Sequence, residues 1–289
     1  MKRLSWINIV LLALVIALAL FAYFRPSTVT GYRLSALDPA IAKHIEIAFA
    51  GSAPAVLERA GAGQWWLSAP FMARADDFQV QNVLAILGAT TKERLPAQNL
   101  QRFDLAAPQL RVTVDSQRFA FGAINELTRE QYVLTQSQVY LIRIGYFAAL
   151  PVNIWQLISR QLFADDETPA AFDLPDFKLM QQNGKWTLSP LPKAGLSQDD
   201  FNRWVDNWRY ASALAIQPAS HRKPLATIKI GLKNGAAVQL MVLQRTPQLV
   251  FARGDRPGFE YQFTNDIAQQ LLTPPGNSPK PATGMNERK

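Results

Sequence analysis

The sequence predicts an α+β protein with an N-terminal transmembrane helix followed by two tandem antiparallel strand-rich modules. Each module is expected to hold a β-hairpin, an amphipathic helix and about four further strands. Three observations predict this. An uncharged apolar run opens the chain, a sequence pattern recurs 121 residues later, and period-two alternation follows each of two helical stripes.

Leu4 to Phe24 (LSWINIVLLALVIALALFAYF) carries no charge and has the length, about 20 residues, that a helix needs to cross the hydrocarbon layer. Lys2 and Arg3 precede it, and Trp6, Tyr23 and Phe24 lie near its ends, where interfacial anchors sit. The N-terminus is therefore expected in the cytoplasm. Ala17-Leu18-Ala19 has the shape of a signal-peptidase site, yet the apolar run continues to Phe24, which favours a retained signal-anchor. The expected setting is a bacterial inner membrane crossed once, with the bulk of the chain in the periplasm. On this reading residues 1–25 are stub and anchor, and 26–41 are a linker.

Composition excludes several classes. There is no cysteine, so disulfides, thiolate nucleophiles and cysteine-ligated metals are ruled out. The net charge is +8, but Lys2, Arg3, Lys280, Glu287, Arg288 and Lys289 hold +4 of it. No basic run exceeds the pair Arg222-Lys223, so nucleic acid is not an expected partner; mild attraction to anionic lipid headgroups fits better.

The repeat defines the modules. GQWWLSAP from Gly63 aligns with GKWTLSPL from Gly184, so that Trp65 meets Trp186 and Ser68 meets Ser189. In the same register Asp76 falls on Ser197, and each suits a helix N-cap with Gln79 or Asp200 three residues on. The stripes Val80-Val83-Leu84-Leu87 and Phe201-Trp204-Val205-Trp208 share the spacing i, i+3, i+4, i+7. Before the helices, Asn183-Gly184 predicts a type I′ hairpin turn, and Ala60-Gly61-Ala62-Gly63 holds the matching place. After them, alternation predicts strands at Leu110, Phe119, Tyr132 and Val139, and again at Ala226, Ala237, Leu249 and Phe259. The modules span 42–150 and 170–273. Between them, 151–169 comprises an amphipathic helix (Val152 to Phe163) and the loop ADDETPAA; the Pro- and Gly-rich tail 274–289 is expected to be disordered.

The series WWLSAP, RADDFQVQNVLAIL, RFDLAAPQLRVTV, FAFGAINELTREQYVL and VYLI resembles the bacterial envelope family of domain of unknown function 4340, over roughly Ile45 to Thr273. Asp104 stands where the family pattern has Gly, and Asp tolerates positive φ better than most residues. Related modules accompany gliding-motility and ABC-transporter auxiliary proteins, so the resemblance implies an accessory role. It carries no catalytic residue over.

No candidate chemistry outweighs its structural reading. His44 and Glu46 share a strand face but lack further ligands at a usable spacing. Asp165, Asp166 and Glu167 read as a solvated linker, and Asp76, Asp77, Asp199 and Asp200 as helix starts. Four tryptophans (Trp65, Trp186, Trp204, Trp208) are expected in the core, whereas Trp6 and Trp155 suit interface or helix-packing roles. Trp66, opposite Trp65, is the candidate ligand or partner contact. No catalytic, cofactor-binding or metal residue is expected, and no cofactor. The expected function is that of a non-enzymatic accessory or scaffold protein with an envelope protein partner; a glycan- or peptide-binding module, or a hydrolase with its cleft between the modules, is the alternative.

Overall fold

The computed structural model describes residues 11–12, 14–16, 31–61, 63–190 and 195–276. Most of the span expected over Leu4–Phe24 lies outside them, as does the tail beyond Gly276; the described residues 11–12 and 14–16 are helical. Among the described residues no helix is long and apolar enough to cross a membrane.

The first copy opens with β1 (Tyr32–Arg33), then β2 (His44–Phe49), β3 (Ala55–Arg59), β4 (Trp65–Ala69) and β5 (Ala73–Arg74). Helix α1 (Asp77–Leu84) follows, capped by the Asp76 carboxylate accepting from the Gln79 N–H at 3.0 Å. Short strands β6 (Thr90–Thr91) and β7 (Arg94–Pro96) lead to β8 (Leu110–Val114), β9 (Gln117–Ile124), β10 (Glu130–Thr135) and β11 (Gln138–Arg143), closed by α2 (Ile144–Ala148). The second copy runs β12 (Pro169–Asp173), β13 (Lys178–Gln182), β14 (Lys185–Ser189), α3 (Gln198–Arg209), β15 (Ala215–Pro218), β16 (Ala226–Leu232), β17 (Ala237–Gln244), β18 (Leu249–Arg253), β19 (Phe259–Phe263) and α4 (Asn265–Leu272).

The two large sheets share one strand order. The first large sheet reads β5-β4-β3-β2-β8-β9-β10-β11-β7 and the second β14-β13-β12-β16-β17-β18-β19-β15. Without β5 the two orders coincide strand for strand. Trp65 and Trp186 are buried on equivalent strands, as are Tyr140 and Tyr261. The expected hairpin is one strand short in each copy, because β2 and β12 precede it and lie mid-sheet, held by distant partners such as Val112 opposite Ile47 and Ile230 opposite Phe172. The Asn183-Gly184 turn has positive φ at both residues, 49° and 77°, as type I′ requires. Ser197 and Asp200 form a reciprocal capping box on α3.

Both stripes face inward. Leu87, however, lies on a 3-10 turn (Ala85–Gly88) that succeeds α1. The second stripe feeds an aromatic cluster in which Phe172 meets Trp204 edge-on at 4.9 Å and Trp208 stacks on Phe251 at 5.9 Å. In the first copy Asp104 adopts φ 54°, so it takes the left-handed conformation a glycine would. That turn presses on β9 at Gly122, where a Cβ would run into the Phe103 carbonyl and the Leu105 side chain.

One expectation fails between the copies. Val152 to Phe163 is not an amphipathic helix; it is a single 3-10 turn (Ile154–Leu157) followed by extended chain. Asn153 caps the turn by accepting from the Trp155 and Gln156 N–H groups. Beyond it the backbone donors and acceptors find partners in both modules instead of in themselves. Asp76 N–H donates to Leu157 C=O at 2.8 Å and Ser159 N–H to Arg74 C=O at 2.9 Å, while Leu162 N–H reaches Ala211 C=O and Ala213 N–H reaches Arg160 C=O. Intermodule pairing outcompetes the local helix because it satisfies these groups and also buries Leu157, Ile158, Leu162 and Phe163. The main cluster of buried residues consequently runs without a break through both copies.

Candidate functional site

The seam between the copies is built from residues that sequence reading treats separately. Phe71 of the first copy stacks on Trp155 of the connector at 5.7 Å and touches Phe259 of the second, also at 5.7 Å. Phe71 thus bridges both copies and the connector, and Trp155 packs from a 3-10 turn, not from a helix.

Below it lies an ionic cluster. Arg253 is fully buried and spends its donors on Leu162 C=O (2.6 Å), both Glu167 oxygens (2.9 and 2.7 Å) and both Asp255 oxygens (3.0 and 2.8 Å). Glu167 also accepts from Arg256 at 3.1 Å and from the Ala164 N–H at 2.7 Å. The expectation of a solvated acidic linker therefore fails for Glu167, whose side chain is drawn inward by a guanidinium 86 positions away. Burial resists its ionisation, but the bonds from Arg253 and Ala164, with the charges of Arg253 and Arg256, outweigh that and hold its carboxyl below the ordinary range. Burial likewise opposes the Arg253 charge, and its bonds to Asp255 and Glu167 more than compensate, raising its pKa. Arg74 on β5 ties the connector from the other side, donating to Ser159 Oγ at 3.2 Å and Gln161 C=O at 2.6 Å. Its own pKa is lowered by burial and by the Arg256 charge.

Two clefts open along this seam. The larger, about 530 Å³, is walled by Phe78 and Gln79 of α1, by Trp155, Ile158 and Arg160 of the connector, and by Leu214 and Ile216 of the second copy. The smaller, about 260 Å³, is polar and includes Arg74, Asp76, Asp77, Ser159, Gln161 and Asp165. Phe78 and Asp76 border both, so the two clefts adjoin as halves of a seam groove, the larger of mixed polar and apolar walls and the smaller acidic. Phe78 is 70% exposed and Leu214 51%; other large apolar side chains are as exposed, but these two line the same cleft from different modules.

The sequence-expected residues fall elsewhere. Trp66 is half-buried on β4, cross-strand from Glu58 and Arg74, and lines neither cleft. His44 lies 4.0 Å from Glu58 on the exposed face of the first sheet, beside but not within any ligand set. Among the described residues no group of three or more His, Cys, Asp or Glu could hold a metal ion. Phe78 escaped sequence reading because it sits off the buried stripe of α1; a large aromatic at that off-stripe position was the available signal.

A family model described as domain of unknown function (DUF4340) matches residues 65–220, just over half of the chain. The match runs from β4 of the first copy through the connector to β15 of the second and so contains every groove residue named above. No curated protein and no solved structure matches the chain.

Proposed function

Starting from a chain that belongs to the domain of unknown function 4340 family, we propose a non-enzymatic accessory or scaffold protein whose intermodule groove holds a segment of a partner polypeptide. The reading places the chain at a bacterial inner membrane through Leu4–Phe24, with the modules in the periplasm, assisting an envelope or transporter complex. The observation that carries it is the pair Phe78 and Leu214, two exposed apolar side chains facing one groove from two modules that the connector fixes together. A preorganised groove binds without the entropy of bringing its walls together. The groove chemistry selects the segment. An apolar side chain would enter between Phe78 and Leu214, and a neighbouring Lys or Arg would meet Asp77 and Asp165 in the polar half.

The three carboxylates of that half support the second reading, an envelope hydrolase, since such an enzyme needs carboxylates converging in a cleft. Asp76 already accepts the Gln79 N–H as a helix cap, which leaves Asp77 and Asp165 as its only free pair there. Replacing Phe78 and Leu214 together by aspartate should abolish complementation of a strain lacking the gene, while Leu127→Asp, at a site 94% exposed that lines neither cleft, should not. Both groove side chains are more than half exposed, so the variant should accumulate and unfold like the parent. Full complementation by Phe78→Asp with Leu214→Asp would remove the groove from the account; loss on Asp77→Asn with Asp165→Asn alone, with the aspartate pair harmless, would favour the hydrolase.

A further inference from the structure

Away from the seam, the outer face of the first sheet carries a depression of about 740 Å³. Its chemistry follows from strand register. On β2, β8 and β9, Glu46, Thr113 and Arg118 form one cross-strand row, and Ala48, Arg111 and Ala120 form the next. Arg111 and Arg118 are therefore diagonal neighbours on adjacent antiparallel strands, about 7–8 Å apart at the backbone and within reach of a common target. Ala48 and Ala120 flank Arg111 and leave the floor low. Neither guanidinium has a hydrogen bond or ion pair among the described residues. Two free guanidinium forks over a low floor are complementary to a tetrahedral oxyanion.

The geometry points to a phosphate-binding site in this depression, with Arg111 and Arg118 as the anion's ligands. Glu46, on the same face, weakens the attraction and sets a limit on affinity. The source of the phosphate is suggested by position. Gln136, on the rim, donates to the Leu34 C=O, and Leu34 follows β1, the first strand after the apolar N-terminal run. Only nine residues lie between Phe24 and Leu34, a reach of at most about 35 Å over the ten steps, so the site stands close to a headgroup layer if the anchor spans the membrane. The lipid source rests on the anchor reading of the proposed function; the phosphate site does not.

The test is calorimetric titration of the full chain in neutral detergent with inorganic phosphate, glycerol 1-phosphate and short-chain phosphatidylglycerol. Short-chain phosphatidylcholine is the zwitterionic comparison. Binding should be about tenfold to a hundredfold weaker in the Arg111→Gln, Arg118→Gln double variant and unchanged in Lys223→Gln, which lies on the second copy. Glu46→Gln should strengthen it. Affinity for phosphatidylglycerol well above that for the two soluble phosphates assigns the site to lipid; equal affinity assigns it to soluble phosphate esters and leaves the anchor reading untouched. The site is overturned if no probe binds, if phosphatidylcholine binds as well as the anionic lipid, or if the double variant binds like the parent. All three arginine and glutamate positions lie on the sheet's outer face, and an unchanged unfolding transition in each variant separates lost binding from lost fold.

Discussion

Arg253→Met is expected to destabilise the chain by about 3–5 kcal/mol, the usual cost of removing one partner from a buried ion pair. The side chain is fully buried, and its loss strands Glu167 inside the seam with only the Ala164 N–H and Arg256 for company. Because a domain of this size is stable by only about 5–15 kcal/mol, the variant should shift the urea midpoint strongly and accumulate poorly. Adding Glu167→Leu should recover part of the loss, since a matched apolar pair avoids the stranded charge. A double variant no better than the single one would mean that the Leu162 and Asp255 contacts, not Glu167, dominate. Acid supplies a second readout. Glu167 and Asp255 are both held below their ordinary carboxylate values; burial opposes this, but hydrogen bonds from Arg253 and the charges of Arg253 and Arg256 prevail. The unfolded chain therefore binds these protons more readily than the folded one. The stability they contribute is complete above about pH 5 and is lost as pH falls through their folded values. In Arg253→Met the acid limb of the melting temperature, measured from pH 6 to pH 3, should be shallower than in the parent.

Trp204→Ala is expected to cost about 3–5 kcal/mol, against less for Val83→Ala at the corresponding stripe of the first copy. Trp204 is buried between Phe172 at 4.9 Å and Phe177 at 5.5 Å, with Trp208 at 5.9 Å. Its indole N–H also donates to the Thr273 C=O at 2.7 Å, tying the end of α4 to α3. Truncation opens a cavity among rings that cannot collapse into it and orphans that carbonyl. Since the core is continuous through both copies, urea unfolding followed by tryptophan fluorescence and by circular dichroism should give coincident single transitions. A Trp204→Ala protein that loses only the second copy's signal, while the first unfolds at its former midpoint, would show that the seam does not couple them.

The duplicated plan was legible because local signals specify it. Ala226–Leu232 and Phe259–Phe263 alternate cleanly and form β16 and β19 at the expected bounds, and Asp76 and Ser197 start helices where their capping geometry demands. The misses share a cause, which is partnership at long range. The connector has a helical apolar pattern, yet its backbone is claimed by Arg74, Asp76 and Ala211, whose proximity no local window contains. Glu167 resembles its acidic neighbours until Arg253 arrives from the second copy. The groove draws on positions 78, 155 and 214, and only the sheet order brings them together. Trp66, the contact expected from the sequence, lies on β4 outside the groove, whereas Phe78, off its helix's buried stripe, borders both of its halves.

The central claim is that the seam is the working surface. Its most direct test is a photo-crosslinking amino acid placed singly at positions 78, 214 and 127 of the full-length protein in the native cell, followed by identification of the crosslinked chains. The account predicts the same discrete adduct from 78 and 214, made with one envelope protein through an apolar segment flanked by Lys or Arg, and none from 127. Adducts equally frequent at all three positions, or absent from 78 and 214 while the protein accumulates normally, would contradict it.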